Sequence, residues 1–421
     1  MPFRSDSSAY SAVTALAARR RVHAAFAWLH GNPKRILDWQ TELCAIPAPP
    51  FGEEDRTRWM VERFTEAGLK AVETDAVGNA YGYLSAPNLS PDSTGPIVVL
   101  SAHLDTVFPA GTRLDPILRQ VDGCDRLEAP GACDNGAGVV GMLAIAHAMT
   151  AAGVELPASV LFLGNVGEEG EGDLRGMRHL YANAKLAGRI AAHIVLDGAG
   201  ADSAVTQALG SRRFKVAING PGGHSFTDAG TPNPVIALST ALAAVALTPL
   251  PVQPRTTLNI GTIHGGTSVN SIPESAAATV DFRSTASDEL VRLEVALHRA
   301  VEDAVEQWNA RANPVASRGR LSFEITAIGD RPAAQLPDDS PVLLALRAVD
   351  RHLRLKTGQR LGSTDANIPL SAGIPAVSMG AGGEGGGAHT QGEWYSPRDR
   401  ETGLRRILLL LLAMAEWAGE V

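Results

Sequence analysis

Ile97-Val98-Val99-Leu100-Ser101-Ala102-His103-Leu104-Asp105-Thr106-Val107-Phe108-Pro109 is the stretch from which the rest of the chain can be read. Its first four residues are apolar and mostly β-branched, the composition of a buried strand. At the strand's end the pattern changes to His-x-Asp. Residues two apart on an extended chain point to the same side. His103 and Asp105 therefore face one cleft just past the strand's carboxyl end, where open α/β sheets build their sites. Imidazole is a zinc ligand, and a carboxylate behind it orients and polarises it. An ordinary polar turn has the same three letters, so the flanking sequence must choose between the two.

Outward from this strand, apolar strands alternate with helices. A small-residue helix is expected over 138–151, a buried strand over 160–165, a helix over 175–184 and an apolar strand over 192–196. On the amino side, helices are expected over about 10–29 and 33–44, and short strands near 71–74 and 79–84. Glu53-Glu54 opens a helix to about 67, with its acids at the positive end of the helix dipole. This alternation implies a largely parallel sheet with helices on both faces. The pattern shifts near Ser211. A half-buried strand at 214–218, a helix at 234–247, strands at 258–263 and 277–282, a helix at 287–311 and a strand at 321–327 come next. Strand-helix-strand-strand-helix-strand is a ferredoxin-like α+β sandwich. The α/β pattern then resumes with a helix at 341–353, a strand at 374–378 and a closing helix at 399–418. The expected organisation is one α/β domain, residues 1–210 and 331–421, interrupted by an α+β domain over 211–330.

Composition narrows the function. The chain has 421 residues, 45% of them hydrophobic and 19% charged, as in a globular protein with substantial cores. A net charge of −8 argues against nucleic acid or an anionic membrane as the main partner. Cys44, Cys124 and Cys133 are odd in number and lack metal-type spacing, which points to a reducing cytoplasm without a disulfide framework. No signal peptide is read at the N-terminus. The apolar run Leu408 to Leu412 is too short for a bilayer and sits in an amphipathic helix with Arg405, Arg406 and Glu416.

Four further loops carry metal-type side chains. Gly131-Ala132-Cys133-Asp134-Asn135-Gly136-Ala137-Gly138 puts a carboxylate in a glycine-rich turn before a helix, and the Lys and Ser/Thr of a phosphate loop are missing. A plain helix-capping Asp remains open there. Gly167-Glu168-Glu169-Gly170 comes after a buried strand; such a pair either sits in solvent or divides labour between a cation and proton transfer. Leu196-Asp197-Gly198 repeats the form of strand, acid and glycine. His389 ends the glycine-rich run from Gly380 to Gly387, a flexible arm that lets backbone approach closely. His103, Asp134, one of Glu168 and Glu169, Asp197 and His389 give a mixed nitrogen and oxygen donor set suited to zinc, with cobalt or manganese as substitutes.

These residues, in this order, resemble the dizinc metallohydrolases that include peptidase T, aminoacylase, acetylornithine deacetylase, succinyl-diaminopimelate desuccinylase and glutamate carboxypeptidase. The resemblance runs from about Ile36 to near the end of the chain and includes the inserted domain. It implies a zinc-exopeptidase-like catalytic domain with a mixed, largely parallel sheet and an inserted dimerisation or lid domain. It further implies two zinc ions per subunit, one on His103 and Asp197, the other on Glu169 and His389, with Asp134 bridging. Asp105 would orient His103, and Glu168 would be the general base acting on a metal-bridging water. A cis peptide is implied after Asp134. In the insert, Asn219-Gly220-Pro221-Gly222-Gly223-His224-Ser225, the segment Gly265 to Pro273 with Asn270, and Asp281-Phe282-Arg283 resemble the family's substrate-contact segments. His224 would reach a substrate in the neighbouring subunit's site, which implies a homodimer. Gly362-Ser363-Thr364-Asp365-Ala366 resembles a Gly-Thr-Asp segment near the substrate. Asp197, where deacylase-type members usually have Glu, resembles peptidase T. The expected activity is exopeptidase hydrolysis of short peptides. An N-acyl-amino-acid amidohydrolase or carboxypeptidase is the alternative.

Overall fold

The computed structural model describes residues 3, 5–85, 95–315 and 317–420. The chain divides into two compact units, Met1–Ala208 with Gln335–Val421, and Leu209–Ala334.

The larger unit is built on a mixed sheet. Its strand order is Lys70–Thr74, Ala80–Leu84, Ser159–Asn165, Ile97–His103, Ile190–Leu196, Ala376–Met379 and Ser203–Ala208, with Gly358–Gly362 also paired to Ser203–Ala208. The four central strands, from Ser159–Asn165 to Ala376–Met379, are mutually parallel. Antiparallel partners flank them on either side. Every residue of Ile97–His103 and of Ser159–Asn165 is buried, which is why both read as continuous apolar runs. One face is covered by Met177 and Leu180 of the helix Arg175–Ala182, packed against Ile97, Val99, Leu161 and Leu163. The helices Gly136–Ala151 and Arg400–Gly419 pack against the central strands as well. Register aligns the strand ends. His103 lies opposite Asn165, Ser101 opposite Val195, and Met379 opposite Leu196. The carboxyl ends are level, so the segments carrying Glu168, Asp197 and the glycine run leave the sheet along one edge.

The inserted unit carries a four-stranded antiparallel sheet in the order Thr256–Gly265, Ser275–Ser284, Gly210–Asn219, Ser322–Arg331. Along Ser275–Ser284 every second residue is buried, and Ala276, Ala278, Val280 and Phe282 face inward. They pack against Leu238, Ala241 and Val245 of the helix Pro234–Ala246 and Leu293, Leu297 and Val301 of Ser287–Ala310. The first helix starts where the pattern predicts: the Asn233 side chain accepts from Val235 N at 2.9 Å, and Pro234 takes the first turn.

Several elements differ from the sequence-based expectation. The helix expected over 10–29 is two, Asp6–Ala17 and Arg20–Gly31, because the first packs on Pro341–Leu353 and the second on Gly136–Ala151. A hairpin, Ile117–Val121 with Cys124–Glu128, turns at Asp122 (φ 51°) and Gly123 (φ 75°), the two positive angles of a type I′ turn. It joins Trp394–Ser396 and Glu384–Gly386 in a second sheet, which runs the glycine arm beside the chain leading to Asp134. Arg406 is not solvated: it is fully buried, its Nε donating to Asp350 Oδ1 at 2.7 Å. Among the described residues no helix is long and apolar enough to cross a membrane.

Candidate metal centre

His103 is the last residue of its strand and is 2% exposed. Its Nδ1 donates to the backbone carbonyl of Asp105 at 3.1 Å, with the Asp105 carboxylate at 3.6 Å. The ring's Nδ1 thus meets both a main-chain oxygen and, slightly farther off, the carboxylate that the His-x-Asp pattern suggests. The Asp105 carboxylate is fully buried and does something further. Its Oδ1 accepts from the backbone N–H of Glu168 at 3.0 Å, and its Oδ2 from that of Glu169 at 2.8 Å. One carboxylate thus fixes the Glu168-Glu169 turn to the end of the His103 strand.

His103 Nε2 faces Asp134 Oδ1 at 3.2 Å and Asp197 Oδ1 at 3.9 Å. His389 Nε2 faces the other oxygen, Asp134 Oδ2, at 3.0 Å, and Glu169 Oε1 at 3.1 Å. Two donor groups result, His103-Asp134-Asp197 and Asp134-Glu169-His389, the ligand atoms of each lying within 4.8 Å of one another. Asp134 belongs to both and turns one oxygen to each. Glu168, 6% exposed, lies in a third such group with His103 and Glu169. The peptide Asp134–Asn135 is cis. The Asn135 side chain accepts from Gly138 N and Gly198 N, both at 3.1 Å, and donates to Leu196 O at 2.8 Å. It caps the following helix and fastens the Asp134 turn to the Asp197 turn.

Electrostatics here come from crowding these groups out of water. Burial alone would lower the His103 imidazole, but contacts with Asp105, Asp134 and Asp197 hold it well above the ordinary histidine range. The hydrogen bond to Asp134 raises His389 to about 9. Burial, together with the nearby Asp134 charge, lifts Glu169 to about 7. Burial would raise Asp134 too, but the two imidazoles hold it far below the usual carboxylate range. Three carboxyl groups and two imidazoles crowded together in this way are a donor set that could hold a cation in exchange for protons. The donor set is oxygen and nitrogen throughout, and Asp134 Oδ1 is buried with the imidazole nitrogen His103 Nε2 beside it at 3.2 Å. Both features fit a divalent transition metal.

Of the other residues singled out in the sequence, three belong to the inserted unit and Asp365 to the larger one. In the inserted unit, His224 and Asn270 neighbour each other: the strand Gly223–His224 pairs with Ser271–Ile272, and Ser225 N donates to Asn270 O at 3.1 Å. His224 is exposed, and its Nδ1 accepts from the backbone N–H groups of Phe226 and Thr227 at 3.2 Å, which leaves Nε2 as the outward nitrogen. It lines a cleft of about 800 Å³ with Asp228, His264 and Arg318. Arg283 is not part of that cleft. It sits at the far end of Ser275–Ser284, its Nε donating to Asp281 Oδ2 at 2.8 Å. Asp365, in the larger unit, is fully buried and accepts from Asn165 Nδ2 at 2.7 Å; burial raises its carboxyl to about 6.

Sequence reasoning missed Asn135 and Glu393. Both act through main-chain groups, which leave no residue-type signature. The one available signal for Glu393 was its place four residues after His389.

Comparison with known proteins shows the family and the fold. The model of peptidase family M20/M25/M40 matches residues 99–413. The protein YqjE of Bacillus subtilis is 26% identical over 375 residues, covering 86% of this chain and 93% of that one. A probable carboxypeptidase of Aspergillus clavatus is 30% identical over 275 residues, 61% of this chain and 59% of that protein. Among solved structures, the aminopeptidase PepT of Bacillus cereus superposes with a TM-score of 0.70 at 20% identity, covering 91% of this chain and 99% of that one. The chain belongs to peptidase family M20/M25/M40 and is a metallopeptidase.

Proposed function

We propose that the protein is a dizinc exopeptidase that hydrolyses short peptides, of the aminopeptidase, dipeptidase or tripeptidase type. The observation that carries this is the shared carboxylate: Asp134 turns one oxygen to His103 and the other to His389, with Glu168 beside them. His103 and Asp197 would hold one zinc, Glu169 and His389 the other, and Asp134 both; cobalt or manganese would substitute. When bound, two such ions would supply Lewis-acid polarisation of a scissile carbonyl and a water made acidic enough to attack. The chain's own part is proton transfer and positioning. Glu168 takes a proton from the attacking water as its oxygen adds to the carbonyl carbon, and passes it to the amine nitrogen as the C–N bond breaks. Asp105 holds the backbone of Glu168 and Glu169, so the base and a ligand move as one piece. His224, Asn270 and Arg283 would contact substrate, with the insert serving as the dimerisation domain. A cytoplasmic location rests on the three unpaired cysteines.

Glu168→Ala should lower kcat by about 10²–10⁴-fold while zinc content, measured by mass spectrometry of the metal, stays at the wild-type value. A variant that keeps its activity ends the role given to Glu168. The likeness to a carboxypeptidase favours a second reading, a carboxypeptidase or N-acyl-amino-acid amidohydrolase using the same residues. The two differ in which end of the substrate is anchored. Rates on free-amine dipeptides and on their N-acetylated forms, with zinc, cobalt and manganese, decide between them; faster turnover of the acetylated series would overturn the first reading.

A further inference from the structure

Glu393 comes four residues after His389 and is 1% exposed. Its carboxylate reaches into the turn that carries Asp134. Oε1 accepts from the backbone N–H of Cys133 at 2.8 Å and of Asp134 at 2.7 Å, and Oε2 accepts from that of Gly131 at 2.9 Å. Three main-chain donors converging on one buried carboxylate form an anion nest, and bonds to an ionised acceptor are the strong ones. The turn is shaped for this. Gly131 has φ 76°, and a β-carbon there would stand 2.8 Å from Thr106 Cγ2, so other residues are disfavoured at that position. The main chain of Glu393 is pinned as well: its carbonyl accepts from Ala129 N at 3.0 Å, and its N–H donates to Thr390 O at 3.2 Å. The segment from His389 to Glu393 therefore grips Asp134 twice. His389 meets the side chain at 3.0 Å, and Glu393 holds the backbone.

We infer that Glu393 is a positioning residue: it holds the Asp134 backbone in the pose that turns one carboxylate oxygen to each donor group, and couples that pose to the His389 arm. This rests on the reading of Asp134 as the bridging ligand. A bridging carboxylate must serve two ions about 3.5–4 Å apart, so a small rotation of the turn improves one bond and spoils the other. Among the described residues no other group holds the three N–H groups at once. A neutral amide cannot replace the carboxylate, since its single oxygen satisfies one side of the nest and its NH2 opposes the N–H on the other.

The test compares wild type, Glu393→Gln and Asp134→Asn as full-length enzyme loaded with cobalt(II). In Glu393→Gln we expect the affinity for the second cobalt ion to fall about 10–100-fold, the loss typical of removing a group that supports a metal ligand. The visible cobalt spectrum should change, and kcat on the best dipeptide should fall by a similar factor with KM within about twofold. Wild-type cobalt affinity, spectrum and kcat in Glu393→Gln would overturn the inference, even if its melting temperature drops. Asp134→Asn keeps the two failures apart. If that variant binds two cobalt ions as wild type does, the bridging role is wrong, and the inference falls with it. If Asp134→Asn is defective and Glu393→Gln is not, only the inference falls.

Discussion

The two sides of Asp134 are built in opposite ways. His103 ends a fully buried strand, is 2% exposed, and has its ring held by the carbonyl and carboxylate of Asp105. His389 ends a glycine-rich arm, has a left-handed φ of 65°, and its side chain is 55% exposed. Yet the two imidazoles approach the same carboxylate at nearly equal distances, 3.2 and 3.0 Å. On the first side the sheet sets the position, because level strand ends leave the side chain nowhere else to go. On the second side no regular element does, and the hairpin, Glu393 and the turns around Thr390 do the work instead. A site assembled from a rigid half and a tethered half should lose different things when each half is damaged.

The largest effect is expected on the rigid half. His103→Ala removes the partner of three acids, of which Asp105 is fully buried. Breaking one side of a buried charged cluster costs roughly 3–5 kcal/mol. The metal-depleted variant should therefore show a clearly lower melting temperature, and both ions should bind poorly because Asp134 is disturbed as well. Unchanged melting of metal-depleted His103→Ala would mean that this half is no more rigid than the other. His389→Ala should be milder in one respect only. Its exposed ring supports little packing, so the fold should melt within a few degrees of wild type. Affinity for one of two zinc ions should fall at least the 10–100-fold that loss of a supporting group causes. Titration with zinc, read by calorimetry, should then show one strong site in place of two. Two strong sites would remove His389 from the ligand set.

The same contrast explains what was readable in the sequence. The rigid half was readable because burial leaves a pattern: Ile97 to Leu100, Val160 to Leu163 and Ile194 to Leu196 are apolar runs, each with a metal-type residue soon after it. The inserted sheet was readable for the related reason that its strands alternate, as Ser275–Ser284 does. What supports the tethered half was not. The hairpin Ile117–Glu128 is exposed along its first strand, and only the Asp122-Gly123 turn marks it. Ser203–Ala208 and Gly358–Gly362 are short and lack a continuous apolar run, and they become strands by pairing with each other and, for Ser203–Ala208, with Ala376–Met379. Glu393 and Asn135 hold main-chain groups whose positions exist only after folding. Arg406 reads as a surface residue because its partner, Asp350, is 56 residues away.

The smallest expected effect is a pH dependence that isolates the tethered half. In the metal-depleted protein the hydrogen bond to Asp134 raises His389 to about 9, against an ordinary value near 6.5. A folded-state value above the unfolded one means that the protonated ring favours folding. That stabilisation is complete below about pH 6.5 and is lost as pH rises through about 9. Glu169, raised to about 7 mainly by burial, acts in the same direction at lower pH, so the wild-type curve alone cannot separate the two. The difference between wild type and His389→Ala can. The melting-temperature gap between the two metal-depleted proteins should be widest near pH 6 and close by about pH 9.5. In the zinc-loaded proteins this slope should vanish, because a ligating imidazole is neutral throughout, and zinc uptake at pH 7.5 should release protons into a weakly buffered solution. A gap that stays constant from pH 6 to 9.5 would show that His389 is not held by Asp134 before metal arrives. The arm would then be positioned by its turns alone, and the symmetry of the two imidazoles about Asp134 would have to be created by the ions themselves.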